Sequence, residues 1–273
     1  MSFDSHDQRA IGRRMRDLAV RAGIETLAYF RSPDLDVRGK SDGTPVSAAD
    51  LAANALIVSG LRQSFPEIPV VSEEVGGDTP SDWSAPFFLV DPLDGTREFI
   101  SGSGHYTVNI ALIVDHAPLL GAVYAPALDR LQWVREAGDA VEETPPFAAD
   151  AAGPARALSC RTADNAALVA VHSRSHLNSR TRQYLARYAV TEATAAGSSL
   201  KFCLLAAAEA DVYPRLGPTM EWDTAAAHAV LKAAGGRVVD AETGRDLVYG
   251  KPGLANPWFV ACGRGVRVLP LAP

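Results

Sequence analysis

The segment FFLVDPLDGT, residues 87–96, places two aspartates and a turn sequence directly after four apolar residues. The apolar run 87–90 predicts a short buried strand. The proline that follows Asp91 restricts one φ angle, and the glycine that follows Asp94 permits a tight turn. We therefore expect both carboxylates and the Leu93 carbonyl to converge at the end of a buried strand.

Carboxylates held this close repel one another. At ~4–5 Å and an effective dielectric constant of about 20, each like-charged pair costs about 3–4 kcal/mol. A protein keeps such a group only with a cation or with a raised pKa. Hard oxygen ligands at a turn suit Mg²⁺, which also retains waters for a substrate phosphate. The alternative is a solvated turn in which the aspartates form hydrogen bonds only with the local backbone.

Two other acidic motifs do not fit the spacing. A calcium-binding EF-hand loop needs an oxygen ligand at its third position, where this sequence has Leu93. An aspartyl-phosphate motif of the D-x-D-G-T type has its aspartates two residues apart, whereas Asp91 and Asp94 are three apart. The sequence thus favours a metal site without an aspartate nucleophile.

Beyond this segment, the sequence predicts strands and helices that do not alternate strictly, which indicates a layered α/β or α+β fold. The expected helices are residues 6–30, 47–63, 179–188, 198–210 and 222–236, and the expected strands are 68–74, 87–96, 107–115, 119–126 and 167–173. Residues 144–155 are rich in proline and alanine and predict a surface connection. We expect a single catalytic domain, residues 1–273, with subdomains of about 1–144 and 155–273.

The composition excludes several classes of protein. The chain has 26 basic and 32 acidic residues, a balance that argues against a nucleic-acid polymer as partner. No run approaches the ~18 apolar residues of a membrane span, and the start has no apolar signal segment. Cys160, Cys203 and Cys262 have no metal-ligand spacing, so we expect buried, reduced thiols in a cytoplasmic protein.

Three motifs in order resemble the inositol monophosphatase superfamily of Mg²⁺-dependent, lithium-sensitive phosphatases. They are SEE at residues 72–74, DPLDGT at 91–96 followed by REFISGSGHYTVNIALI, and WDTAA at 222–226. The resemblance extends over roughly residues 35–240. It implies the alternating αβαβα sandwich of the inositol monophosphatase and fructose bisphosphatase type.

Within this superfamily the chain most resembles the CysQ-type 3′(2′),5′-bisphosphate nucleotidases. The similarity is carried by a basic residue after the Gly-Thr of the acidic motif, by GSSLKFC at 197–203, and by YPRLGPT at 213–219. That branch removes the 3′-phosphate of adenosine 3′,5′-bisphosphate, a by-product of sulfate assimilation, and some of its members associate with the inner membrane.

The resemblance implies roles for individual residues. The catalytic residues would be Asp50, Thr96 and Glu73, with Asp50 and Thr96 orienting the attacking water. The ligands of two or three Mg²⁺ ions would be Glu73, Asp91, Leu93 through its carbonyl, Asp94 and Asp223. The amides of Gly95 and Thr96 would bind the phosphate, and the nucleotide would be contacted by His176, Ser198, Lys201 and Arg215.

Each of these residues also has an ordinary structural interpretation. Asp50 in Ser47-Ala-Ala-Asp50 fits a helix capping box, and Asp223 fits an N-cap. Lys201, between Leu200 and Phe202, is typical of a lysine whose stem packs on an apolar face while its charge reaches solvent. His176 has the setting of an ordinary loop residue.

The departures from the family pattern are small. Arg97 stands where a lysine is common, and Met220 and Glu221 precede the tryptophan of the third motif; we expect Arg97 and Glu221 to affect substrate preference. An inositol or sugar monophosphatase is the alternative enzyme, and a catalytically silent metal- or nucleotide-binding module is the alternative of another class. The sequence leaves the oligomeric state open, a homodimer included.

Overall fold

The computed structural model describes residues 3–31, 37–39, 45–74 and 77–271, with backbone alone for 37–39 and 45–47. The helices are α1 (Ser5–Tyr29), α2 (Ala48–Ser64), α3 (Thr96–Ile100), α4 (Ser179–Leu185), α5 (Leu200–Ala206) and α6 (Ala225–Ala233). The strands are β1 (Val37–Gly39), β2 (Pro45–Ser47), β3 (Val70–Ser72), β4 (Phe87–Asp94), β5 (Thr107–Val114), β6 (Ala117–Ala125), β7 (Arg130–Glu136), β8 (Asp139–Glu143), β9 (Ala155–Ala157), β10 (Leu168–Ser173), β11 (Val190–Ala196), β12 (Val212–Arg215), β13 (Arg237–Asp240) and β14 (Phe259–Cys262).

The first large sheet has seven strands in the order β3-β4-β5-β6-β7-β8-β9. Its central strands β4, β5 and β6 are apolar on both faces and almost entirely buried, which requires a layer on each side. Helices α1 and α2 form one layer, and α6 packs against β5 and β6 as part of the other. The predicted β5–β6 hairpin is confirmed.

The second sheet has five strands in the order β11-β10-β12-β14-β13. Along β14, Phe259 and Ala261 join the main core, while Val260 and Cys262 pack in a separate cluster with Tyr184 of α4. Side chains alternate between the faces of a strand, so α4 covers the outer face of this sheet. Helices α5 and α6 lie between the two sheets, and the alternating αβαβα sandwich is confirmed.

The approach of α6 to the first sheet is unusually close at Gly121 in β6. A Cβ atom added there would lie 2.2 Å from the carbonyl oxygen of Ala226. Helix α6 contributes alanines at this face, Ala226 and Ala229 among them. Small residues on both elements therefore set the spacing between sheet and helix.

Two predicted helices have different limits in the structure. The segment predicted as 222–236 becomes helical only at Ala225, because the preceding residues form a turn in which the N–H of Asp223 donates to Met220 O at 3.2 Å. The segment predicted as 198–210 ends as a helix at Ala206, and Ala208 has a φ of 64°, which a continuing α-helix does not permit.

The predicted connection at 144–155 runs between β8 and β9, and β9 pairs with β8 in the first sheet. The first sheet therefore continues past the proposed boundary, and the division into two subdomains stays a prediction. All three cysteines are buried, as expected. None of the helices in the described part of the chain is long and apolar enough to cross a lipid bilayer.

We predict that Gly121→Ala lowers the free energy of unfolding by about 1–3 kcal/mol, because the added methyl group overlaps a backbone carbonyl that cannot move independently. Gly263→Ala is the matched control, since Gly263 is also buried but its added Cβ would have no neighbour closer than 3.5 Å. Denaturant titration measures both. Equal effects of the two substitutions would contradict the proposed close packing.

Candidate active site

Two adjacent strands bring the first acidic residues together. Strands β3 and β4 are parallel neighbours, so the residues after their carboxyl ends lie side by side. The N–H of Glu73 donates to the carbonyl of Val90 at 3.1 Å, which places Glu73 next to Asp91. Asp91 is 1% exposed, and its Oδ1 accepts a hydrogen bond from the N–H of Leu93 at 3.0 Å.

Asp223, from the second half of the chain, joins the acids of β4. Carboxylate oxygens of Asp91, Asp94 and Asp223 all lie within 4.8 Å of one another. Burial raises the pKa of Asp91 well above its ordinary value, and the negative charges of Glu73, Asp94 and Asp223 raise it further. Burial, followed by the charge of Asp94, raises the pKa of Asp223 to about 8. The protein alone does not neutralise this cluster.

Asp223 is held by the turn before α6 and is not the N-cap of that helix, which is Thr224. One of its carboxylate oxygens accepts a hydrogen bond from the N–H of Met220 at 2.9 Å. Its carbonyl accepts from Ser199 Oγ at 2.8 Å. The carboxylate is thus oriented by its own turn rather than used to begin the helix.

Asp94 is oriented by two serines that precede α5. Ser198 Oγ donates to Asp94 Oδ2 at 2.7 Å, and Ser199 Oγ donates to the same oxygen at 3.2 Å. Ser198 has a φ of 52° and also bonds through its hydroxyl to Thr107 of β5. Ser198 therefore contacts an acid of the cluster, in addition to any contact with a nucleotide that the resemblance implies.

Asp50 and Thr96 form a pair beside the acids. Asp50 lies in the first turn of α2 and is 2% exposed. Thr96, the first residue of α3, directs its hydroxyl to Asp50 Oδ1 at 3.4 Å. The Ser47 side chain of the predicted capping box lies outside the described residues. The preceding Gly95 has a φ of 92°, which suits glycine and turns the chain sharply before α3.

One cleft of about 280 Å³ collects the predicted site residues. Its walls include every residue predicted for metal, phosphate or nucleotide binding, namely Glu73, Asp91, Leu93, Asp94, Gly95, Thr96, His176, Ser198, Lys201, Arg215 and Asp223. Asp50 is not part of the wall and lies behind Thr96. Residues from both halves of the sequence therefore meet at this cleft.

The cleft wall also carries basic residues. Lys201 is only 5% exposed, its Nζ donates to the carbonyl of Ser198, and it lies 5.3 Å from the centre of the Tyr213 ring. Its charge does not reach bulk solvent as a typical surface lysine would. Burial lowers the pKa of Lys201 to about 8, against the opposing charge of Asp94.

Arg215 and His176 complete the basic part of the wall. An Arg215 guanidinium nitrogen donates to the carbonyl of Pro218 at 2.8 Å, while its buried Nε has no partner among the described residues. Burial, followed by the charges of Arg215 and Arg97, lowers the pKa of His176. A neutral imidazole can both donate and accept a hydrogen bond.

Sequence reasoning did not identify Glu98 as a residue of the cleft. Glu98 is 8% exposed, lines the cleft and accepts a hydrogen bond from Ser175 Oγ. Its position two residues after Thr96 is the signal that could have indicated it. Other wall residues that were not predicted are Ser173, Phe202, Tyr213, Thr219, Thr224 and Phe259.

The two expected departures from the family pattern have different locations. Arg97 lines the cleft, which is consistent with an effect on substrate preference. Glu221 does not belong to the cleft wall; its side chain is completely buried and pairs with Lys251 at 2.5 Å. A direct contact between the Glu221 carboxylate and a substrate in the cleft is therefore not supported, and the expected effect of Glu221 on substrate preference stays a prediction.

The donor set is suitable for a hard divalent cation. The converging atoms are carboxylate oxygens, and the raised pKa values of Asp91 and Asp223 reflect burial and, after it, a charge repulsion that a cation would offset. No histidine or cysteine is among the cluster residues found in the described part of the chain. Oxygen-only ligation favours Mg²⁺ or a similar ion over zinc or copper.

Comparisons with known proteins agree with this geometry. Residues 12–262 match the model of the inositol monophosphatase family. The chain is 43% identical over 246 residues to a protein of Escherichia coli K12 named 3′(2′),5′-bisphosphate nucleotidase CysQ, a match that covers 89% of this chain and 95% of the relative. A protein of the same name from Buchnera aphidicola is 39% identical over 246 residues, covering 88% of this chain and 89% of the relative.

Solved structures agree as well. The crystal structure of CysQ from Bacteroides thetaiotaomicron superposes with a TM-score of 0.80 at 34% identity, covering 95% of this chain and 98% of that one. An inositol monophosphatase from Anabaena has the same fold, with a TM-score of 0.73 at 22% identity over 94% of this chain and 91% of its own. The chain belongs to the inositol monophosphatase family.

Proposed function

We propose that this protein is a Mg²⁺-dependent 3′(2′),5′-bisphosphate nucleotidase that hydrolyses adenosine 3′,5′-bisphosphate to AMP and phosphate. The observation that carries the proposal is the cleft itself, whose walls combine a cluster of carboxylates with the buried cation Lys201 and the arginine Arg215. A phosphatase for a bisphosphate needs both features, one for the scissile phosphate and one for the second phosphate. The names of the relatives support the same activity.

The metal would be held by Glu73, Asp91, Asp94 and Asp223 together with the carbonyl of Leu93. The number of carboxylates supports two or three ions rather than one, because a single Mg²⁺ is ordinarily held by one or two carboxylates and several waters. Bound there, Mg²⁺ would lower the pKa of a coordinated water and would neutralise charge on the phosphate oxygens.

The Thr96–Asp50 pair is positioned to handle the attacking water. Thr96 donates its hydroxyl proton to Asp50, so the lone pairs of the hydroxyl oxygen remain available to accept a hydrogen bond from water. Asp50, nearly inaccessible to solvent, can take up the proton that the water loses. Glu73 lies next to Asp91, and its carboxylate would give this water a second acceptor.

The phosphate would be held at the beginning of α3. The first N–H groups of a helix have no acceptor within the helix. Gly95 and Thr96, at the sharp turn before α3, line the same cleft as the acids, so their amides would donate to the phosphate. Water attacks in line, and the nucleoside oxygen leaves with the electrons of the P–O bond. This scheme uses no covalent enzyme intermediate, in agreement with the absence of an aspartyl-phosphate motif.

Specificity for a second phosphate would come from Lys201 and Arg215. The unpartnered Nε of Arg215 needs an acceptor, and a phosphate can accept two hydrogen bonds from one guanidinium group. His176 carries a lowered pKa, so it would act as a neutral hydrogen-bonding group for the ribose or base. Ser198 would contact the nucleotide through atoms not engaged with Asp94.

The alternative functions require different residues in the cleft. A catalytically silent binding module is disfavoured because Thr96, Asp50 and the acids form a complete set for hydrolysis. An inositol or sugar monophosphatase would use the same acids but would have no need of a buried lysine in the same cleft.

Asp94→Asn should abolish phosphate release, as should excess chelator, because loss of one carboxylate leaves the cation site incomplete and misdirects Ser198 and Ser199. Asp115→Asn is the control, since Asp115 is exposed in the β5–β6 turn with a φ of 49° that asparagine tolerates. Phosphate release with adenosine 3′,5′-bisphosphate measures the effect. Full activity of the wild type in chelator would refute the metal-dependent mechanism.

The wild type should prefer adenosine 3′,5′-bisphosphate over inositol 1-phosphate in kcat/KM. A charge-assisted hydrogen bond contributes roughly 1.5–3 kcal/mol, so Lys201→Met and Arg215→Ala should each lower kcat/KM for the bisphosphate by about 10-fold or more and leave the monophosphate nearly unchanged. Methionine keeps most of the buried volume of Lys201. Lys232→Met, at an exposed lysine of α6, is the control.

Equal losses on both substrates, or a wild-type preference for inositol 1-phosphate, would favour the monophosphatase alternative. Binding of the nucleotide without turnover in the presence of Mg²⁺ would favour the silent binding module.

The KM for the bisphosphate should also rise as the pH increases beyond about 8. Below its pKa, which burial lowers to about 8, Lys201 is positively charged, and above it the charge is lost. The 5′-phosphate therefore loses an attractive partner at high pH, whereas inositol 1-phosphate loses none. The measurement is a pH profile of KM for both substrates in the wild type and Lys201→Met, and the rise should be absent from the variant.

A further inference from the structure

Glu221 is a buried carboxylate that the proposed mechanism does not use. Its side chain has no solvent exposure. Its Oε2 accepts a hydrogen bond from the N–H of Gly250 at 2.7 Å, and its Oε1 accepts one from the N–H of Lys251 at 3.0 Å and pairs with Lys251 Nζ at 2.5 Å. A buried charge requires this kind of pairing. Glu221 therefore connects the turn that precedes α6 to residues 250–251.

The backbone of Glu221 organises the turn before α6. Its carbonyl accepts hydrogen bonds from the N–H groups of Thr224 and Ala225, at 3.1 and 3.0 Å, and from Thr224 Oγ1 at 3.1 Å. Its own N–H donates to the carbonyl of Leu254 at 2.8 Å. Asp223 lies inside this turn, and its carboxylate is oriented by the N–H of Met220, the residue directly before Glu221.

The segment that receives Glu221 is itself anchored to the first sheet. The N–H of Tyr249 donates to the carbonyl of His116 at 3.0 Å, and His116 Nδ1 bonds to the carbonyl of Tyr249 at 2.8 Å. Asn256 adds a second connection, because its side-chain amide donates to the carbonyl of Met220 at 2.7 Å. The turn that carries Asp223 is thus attached to a fixed part of the fold.

We propose that Glu221 is a positioning residue that, through its ion pair with Lys251, holds the Asp223 turn in place and thereby sets the affinity of the cleft for its divalent cation. Residues outside the ligand set that orient a metal ligand commonly change metal affinity when replaced, by about 10–100-fold. Asp223 is the acid supplied by the second half of the chain, so a shift of its turn moves it away from Asp91 and Asp94.

This inference rests on the proposed metal site. A purely structural role for Glu221 is the competing explanation, and Glu143 provides the comparison. Glu143 in β8 is also a completely buried carboxylate, paired with the buried Arg16 and accepting a hydrogen bond from the N–H of Gly153 at 2.9 Å. Glu143 lies outside the cleft wall, four strands away from β4 in the sheet order.

The experiment measures Mg²⁺ binding calorimetrically in metal-free wild type, Glu221→Gln, Lys251→Met and Glu143→Gln, together with the thermal midpoint of each protein. We expect all three variants to be less stable than the wild type. Glu221→Gln and Lys251→Met should raise the Kd for Mg²⁺ by about 10–100-fold, whereas Glu143→Gln should leave it unchanged. At saturating Mg²⁺ the KM for adenosine 3′,5′-bisphosphate should be that of the wild type in every variant.

An unchanged Mg²⁺ affinity in Glu221→Gln, or an equal rise in Glu143→Gln, would overturn the positioning role while leaving the proposed function intact. If the wild type itself bound no Mg²⁺, both the metal site and this inference would fail. Should Glu221→Gln not fold, Lys251→Met decides the question, because the carboxylate then keeps its two backbone donors and loses only the ionic partner.

Discussion

The mutual repulsion of buried carboxylates is the constraint around which the cleft is built. Asp91, Asp94 and Asp223 bring their oxygens within 4.8 Å of one another, and burial together with the neighbouring negative charges raises the pKa values of Asp91 and Asp223. Like charges in such a medium separate unless covalent and packing forces hold them. The surrounding structure supplies those forces from several independent elements, and each acid is fixed by a different one.

Asp91 is held by a central strand, Asp94 by the serines before α5, and Asp223 by a turn that is itself attached to the segment after Tyr249. Because the sites of attachment lie in the first sheet, at the start of α5 and in the segment between β13 and β14, the cluster can form only when these parts of the fold are assembled. The close contact at Gly121 has the same consequence, since it sets the distance between the first sheet and the helix that follows Asp223. Stability of the sandwich and integrity of the cleft are therefore linked.

The basic residues of the cleft have the complementary chemistry. Lys201 is buried with its charge directed toward the cleft rather than toward solvent, and burial makes that charge sensitive to pH near 8. Its closeness to the acids offsets part of the desolvation cost. A cleft that combines excess negative charge with a buried positive charge is suited to an anionic substrate that binds together with a metal cation.

Local sequence determined a large part of this protein. The apolar runs of β4, β5 and β6, the helical period of α1, and the turn chemistry around Gly95 are properties of short segments, and they predicted the central elements and the convergence of Asp91 with Asp94. The motif order, through a family resemblance, added Glu73, Asp223 and the residues of the basic wall. Tertiary structure alone decided that Asp223 lies in a turn ahead of its helix, that Glu221 faces the interior, and that Lys201 is buried. Those outcomes depend on contacts with partners such as Met220, Lys251 and Tyr213, and no local sequence pattern predicts these contacts. The reason is that the burial and pairing of a charge depend on segments that are far apart in the chain.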